Sequence, residues 1–89
     1  MQFSWDPAKA ASNVQKHGVT FAEAQTACED PHGEWLPDLA HGEARLNVLG
    51  MSAQGRVLFV VTVELDGDEL RIISARKATA YERKRYEEG

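Results

Sequence analysis

The apolar positions change period once along this chain, after about residue 43, and that change divides the expected fold into a helical first part and a stranded second part. At the start, Phe3 and Trp5 flank Ser4 in a short alternating run that reads as a strand. Asp6-Pro7 then reads as an N-cap followed by proline at the first helical position. Ala8, Ala11 and Val14 recur at helical spacing, Lys9, Asn13 and Lys16 fall along another face, and Gly18 supplies a left-handed stop after His17. A second helix follows at once, with Thr20 and Glu23 as a capping box and Val19 and Ala24 placed as a hydrophobic staple. Glu29-Asp30-Pro31 closes it, because a residue before proline is pushed out of the helical region. From His32 to Glu43 the chain is polar, with Trp35 and Leu36 as its strong apolar anchors, and it predicts a loop carrying one short strand.

Beyond that loop the period is two. Arg45 to Met51, Arg56 to Leu65 and Glu69 to Lys77 each fit a strand, and Asp66-Gly67 favours a tight hairpin between the last two. In the middle strand Val57, Phe59, Val61, Val63 and Leu65 share one face and Leu58, Val60 and Thr62 the other, so a cover is expected on each side. Thr79 and Glu82 form another capping box and start a C-terminal helix. The predicted class is α+β: a short N-terminal strand, two helices, an antiparallel meander of three or four strands, and a last helix.

Composition narrows the function. Eighty-nine residues with 43% apolar content suit one domain spanning residues 1–89, since chains of this size bury about 60 to 65% of their unfolded surface. No apolar run approaches the roughly 18 to 20 residues needed to span a bilayer, and MQFSWDPAKA has neither a basic nor an apolar leader region, so a cytoplasmic protein with no membrane partner is expected. A lone Cys28 excludes an internal disulfide and suits buried packing. His17, His32 and His41 are scattered, no ligand spacing matches a metal site, and no glycine-rich phosphate loop precedes a helix, so no metal or cofactor is expected.

Charge is distributed unevenly. Residues 71–85 hold six Lys or Arg against Glu82 alone, a local sum of +5 in a chain of formal charge −4. Such a cluster marks either a polyanion or acidic-partner surface or a solvated helix end. Arg76, at the end of the last strand and three residues before a helix N-terminus, reads as a phosphate clamp or as an ion-pair partner of Glu82. Glu82 in turn reads as the capping-box acid or a general base. His17 can exchange a proton near neutral pH or interact with the last helical carbonyls. Lys9, Asn13 and Lys16 suit phosphate and sugar contacts, while Arg45, Arg56, Arg71 and the run Arg83, Lys84, Arg85 are candidate RNA-backbone contacts. Trp5, Trp35 and Tyr86 are candidates for base stacking, with core packing favoured for Trp5.

Three strings carry a resemblance: WDPAKAASNVQKHGVTFAEA (Trp5 to Ala24), GMSAQGRVLFVV (Gly50 to Val61) and RIISARKATAYERKRYEE (Arg71 to Glu88). In this order and spacing, with KHG at Lys16 to Gly18 and ISAR at Ile73 to Arg76, the chain resembles the BrnT family, toxins of bacterial type II toxin–antitoxin pairs with a RelE-like fold. The likeness departs in the loop from Asp38 to Arg45, where the family carries a longer and more acidic segment. It implies a metal-independent endoribonuclease that blocks translation and arrests growth, with His17, Lys16 and Arg76 sharing the chemistry. It also implies a BrnA-like antitoxin with a ribbon-helix-helix DNA-binding domain, through which alone operator DNA is reached. The alternative from another class is a non-catalytic binding module that docks an acidic or amphipathic partner.

Overall fold

A computed structural model describes residues 1–38, 40, 41 and 44–89; Leu39, Gly42 and Glu43, in the loop where the family likeness departs, lie outside the described residues. The elements run β1 (Gln2–Ser4), α1 (Pro7–His17), α2 (Phe21–Cys28), β2 (Glu34–Pro37), β3 (Arg45–Met51), β4 (Val57–Leu65), β5 (Glu69–Lys77) and α3 (Ala80–Glu88). Local signals account for most of these boundaries. The Asp6 carboxylate accepts the Ala8 N–H at 2.9 Å, Pro7 opens α1, and Gly18 ends it at φ 67°. The Thr20 hydroxyl accepts the Glu23 N–H at the head of α2, and Thr79 and Glu82 complete a reciprocal box at the head of α3.

β2 to β5 form an antiparallel meander of four strands, and β1 joins it in parallel along β5, giving one five-stranded mixed sheet in the order β1-β5-β4-β3-β2. The expected antiparallel meander is therefore present, but the sheet as a whole is mixed. Parallel neighbours need a long crossover, and here two helices and three strands separate β1 from β5, a pairing that no local pattern announces.

α1 and α2 cover one face of the sheet. Val19, Phe21, Ala24 and Ala27 pack there against Val48, Leu58, Val60, Ile72 and Ala75, with Trp5 and Trp35 at the margin. Trp5 meets Phe21 edge-to-face at 6.1 Å between ring centroids, the packing favoured for it, and the half-buried Trp35 also packs against this core. Gly50 is required where α2 crosses β3, because a Cβ there would run into the Ala27 carbonyl. The opposite face is covered at one end only, where α3 brings Ala78 and Tyr86 onto Leu49, Val57 and Phe59. Val61 and Val63 remain half-buried, so the expected cover on both faces of β4 is complete on one and partial on the other.

Two local expectations are overturned. Ala8, Ala11 and Val14 point to solvent, Val14 being 42% exposed, and the buried residue of α1 is Asn13. A bulge also interrupts β5. Val61 pairs with Ser74 and Thr62 with Ile72, so Ile73 is the extra residue. Ile72 and Ala75 consequently share the helix-covered face, whereas Ser74 and Arg76, opposite Val61 and Phe59, lie on the other. Uninterrupted alternation would put Ile72, Ser74 and Arg76 on one face.

Candidate nucleic-acid interface

β1 spans only residues 2–4 and pairs with residues 69–71 of β5, which leaves the rest of that strand's outer edge without a strand neighbour. α1 lies along this edge, and Asn13 supplies what a strand would. Its amide nitrogen donates to the Ala75 carbonyl at 2.8 Å and to the Val19 carbonyl at 2.9 Å, and its oxygen accepts the Ala75 N–H at 3.1 Å. Asn13 is 5% exposed. Both amide hydrogens are committed inside the protein, where Asn13 joins helix to sheet edge.

This anchoring aims the neighbouring positions of α1 over the partly open face of the sheet. A cleft of about 340 Å³ opens there, lined by Lys9, Ser12, Asn13, Lys16 and His17 of α1, Arg45 of β3, Val61 of β4, and Ile73 and Ser74 of β5. Four sequence-predicted site residues, Lys9, Lys16, His17 and Arg45, are thus brought together from two elements far apart in the chain. No carboxylate lines the cleft among the described residues. Ser12 and Ser74 were missed, and for Ser74 the only signal is the bulge that turns it to this face. Arg71, exposed and opposite Val63, extends the cationic border along β5.

Three of the remaining predicted cations, Arg56, Arg76 and Arg85, are tied to acids. Arg76 donates to both Glu82 carboxylate oxygens, at 2.8 and 3.0 Å, and its guanidinium carbon stands 4.4 Å from the centre of the Phe59 ring. Glu82 also accepts the Thr79 N–H. The hydrogen bonds from Arg76, ahead of burial, hold the Glu82 carboxyl below its usual range, and the same pair raises the Arg76 pKa. Arg76 therefore presents its paired edge to α3, and Glu82 serves the cap and the tie. Arg56 grips Glu23 with two N–H groups, the Nε bond at 2.9 Å, and donates to the Gly18 carbonyl at 3.3 Å. Glu23 is 5% exposed, accepts the Ser52 hydroxyl as well, and is held below the normal carboxylate range chiefly by Arg56. Arg56 thereby links the start of β4 to α2.

α3 is pinned by the same kind of bond. Arg85 donates twice to Glu34, at 2.9 and 2.8 Å, and the Tyr86 hydroxyl donates to Asp30, which pushes the phenol up to about 12. Tyr86 is therefore an anchor and not a free stacking ring. Arg83 and Lys84 are exposed. The cavity beside α3 is larger, at about 540 Å³, but Glu34 and Glu88 line it with Tyr81, Lys84 and Arg85, so its charges are mixed. Burial pushes the Cys28 thiol up to about 12, which leaves it an inert packing residue. Among the described residues no three His, Cys, Asp or Glu side chains are grouped to share a metal ion, and no helix is long and apolar enough to cross a membrane.

A family model described as "Ribonuclease toxin, BrnT, of type II toxin-antitoxin system" matches residues 5–82. The chain belongs to the BrnT toxin family. Its structure is similar to the crystal structure of the Brucella abortus ribonuclease toxin BrnT, with a TM-score of 0.72 and 25% sequence identity over 89% of this chain and 97% of that one. No curated protein matches the chain. BrnT membership accounts for the α+β order of three helices on a five-stranded mixed sheet.

Proposed function

We propose that this BrnT-family chain is a single-domain cytoplasmic toxin, RelE-like in kinship, that cuts RNA in the α1 cleft without a metal ion and is silenced by a BrnA-like ribbon-helix-helix antitoxin. The observation that carries this reading is the cleft itself, where cations of α1 and β3 surround one cavity with a histidine at the helix end and no lining carboxylate among the described residues. A nucleotide's phosphate would meet positive charge on several sides there.

The reaction requires three services. A base takes the proton from the 2′-hydroxyl, whose oxygen attacks phosphorus; the bond from phosphorus to the 5′-oxygen breaks; and an acid returns a proton to that leaving oxygen. His17 is assigned the proton transfer. Lys16, with Lys9 and Arg45, stabilises the charge that grows on the phosphate as the transition state forms, the role that fixed cations fill in place of a metal. Arg76, expected to clamp the phosphate, is assigned to hold α3 on the sheet through Glu82 and Phe59. Blocked translation and growth arrest would follow from the cutting of messenger RNA. The antitoxin would bring an acidic segment to the same cations, so that neutralisation and exclusion of RNA occur together, and operator DNA would be bound through the antitoxin alone.

The test is incubation of the purified chain with labelled single-stranded RNA in excess chelator. Fragments ending in a 2′,3′-cyclic phosphate and beginning with a free 5′-hydroxyl are expected. Binding without cleavage would instead leave a non-catalytic module as the function of the fold, and neither binding nor cleavage would remove the cleft from RNA recognition.

A further inference from the structure

The chain has four threonines and four serines, and six of these eight hydroxyls are committed inside the protein. All four threonines, together with Ser4 and Ser52, bond to backbone groups or to carboxylates. Ser12 and Ser74 make no hydrogen bond among the described residues, and both line the α1 cleft. Their convergence has separate causes: Ser12 is carried there by the helix that Asn13 anchors, and Ser74 by the bulge at Ile73.

The chemistry of the lining makes these two oxygens distinctive. Ammonium and guanidinium groups only donate hydrogen bonds, and the Asn13 amide is already spent on Ala75 and Val19. Among the described residues no carboxylate lines the cleft, and the side-chain acceptors left there are the His17 ring and the Ser12 and Ser74 oxygens. A phosphate needs donors alone, which the cations provide. A ribose 2′-hydroxyl both donates and accepts, and it is the group that distinguishes RNA from DNA at a single nucleotide. We propose that Ser12 and Ser74 receive the ribose 2′-hydroxyl and give the cleft its preference for RNA over DNA.

This inference rests on reading the cleft as the RNA site. Adenosine 3′-monophosphate and 2′-deoxyadenosine 3′-monophosphate differ only in the group in question and contain no internucleotide bond to cut. Calorimetric titration of the wild-type chain with each should show the ribonucleotide binding about five- to tenfold tighter, the ratio expected of one or two added hydrogen bonds. In a Ser12→Ala, Ser74→Ala double variant that ratio should fall to about one while the thermal midpoint holds, because neither hydroxyl has a protein partner to lose. Lys16→Ala should weaken both ligands and keep their ratio. A wild type that binds the two equally, or a double variant that keeps the preference, overturns the assignment to serine while the cleft reading stands. Binding of neither nucleotide removes the cleft from nucleotide recognition and the inference with it.

Discussion

Two segments of this chain are basic, α1 and the stretch from the end of β5 through α3, and they use their charge differently. In the C-terminal stretch Arg76 of β5 holds Glu82 and Arg85 of α3 holds Glu34, bonds that help keep on the sheet a helix that buries no residue, while Arg83 and Lys84 stay exposed. On α1, Lys9 and Lys16 have no carboxylate partner among the described residues and border a cleft that contains none. The lesson is that density of positive charge along a sequence does not tell which cations stay unpaired. Pairing in the fold decides it, because a cation already neutralised by a bidentate carboxylate has little left to offer a phosphate.

Five variants break or sharpen this contrast. Asn13→Ala should have the largest effect, a loss on the order of 4 kcal/mol, since it leaves the N–H and carbonyl of Ala75 and the Val19 carbonyl buried without partners. Chemical denaturation measures it, and a loss below about 1 kcal/mol would mean that α1 is held by other contacts. Lys16→Ala comes next: RNA cleavage should fall about a hundredfold with an unchanged unfolding midpoint, whereas Lys84→Ala should leave cleavage within about twofold. Equal losses in a rate assay would erase the distinction between the two segments.

Arg76→Ala is expected to cost about 1 kcal/mol of stability, discounted for a side chain that is 36% exposed, and to leave cleavage nearly intact in the folded protein. Lost cleavage at an unchanged midpoint would return Arg76 to the chemistry.

The smallest effect is a pH dependence. In the folded protein the Tyr86 phenol is raised to about 12, above its unfolded value of about 10. Its contribution is therefore fully present below pH 10 and is lost as pH rises from there toward 12. Tyr86→Phe should flatten that alkaline decline and lower stability by about 1 kcal/mol at neutral pH. On the acid side, Glu23 and Glu82 are held below their unfolded values, so both variant and wild type should lose stability as pH falls below about 4.5.

The caps and turns were legible because their causes are local. Asp6-Pro7, the Thr20 cap, and Thr79 with Glu82 each act within a few residues, whereas Glu23, expected to complete a box with Thr20, gives its carboxylate to Arg56 and Ser52; the hairpin at Gly67 follows from the positive φ that glycine accepts. Lys9, Lys16, His17 and Arg45 were legible as site candidates by type and by family likeness, though nothing local said that they converge. The candidates that the structure pairs with other protein groups, Asn13, Arg56, Arg76, Glu82 and Arg85, were ambiguous for one reason: an amide or a charge satisfies a protein partner as readily as a ligand.

The amino-acid sequence by itself determined the order of helices and strands and the family, since each depends on residues read a few positions apart or on strings matched in order. Tertiary structure alone decided which polar groups remain available. Arg56 finds Glu23 across 33 residues and Arg85 finds Glu34 across 51, β1 reaches β5 in parallel, and one extra residue at Ile73 turns Ser74 toward the cleft. Such outcomes depend on which distant groups meet once the backbone is placed. A hydrogen bond or ion pair exists only when both partners arrive within about 3 Å, and local periodicity carries no record of that meeting.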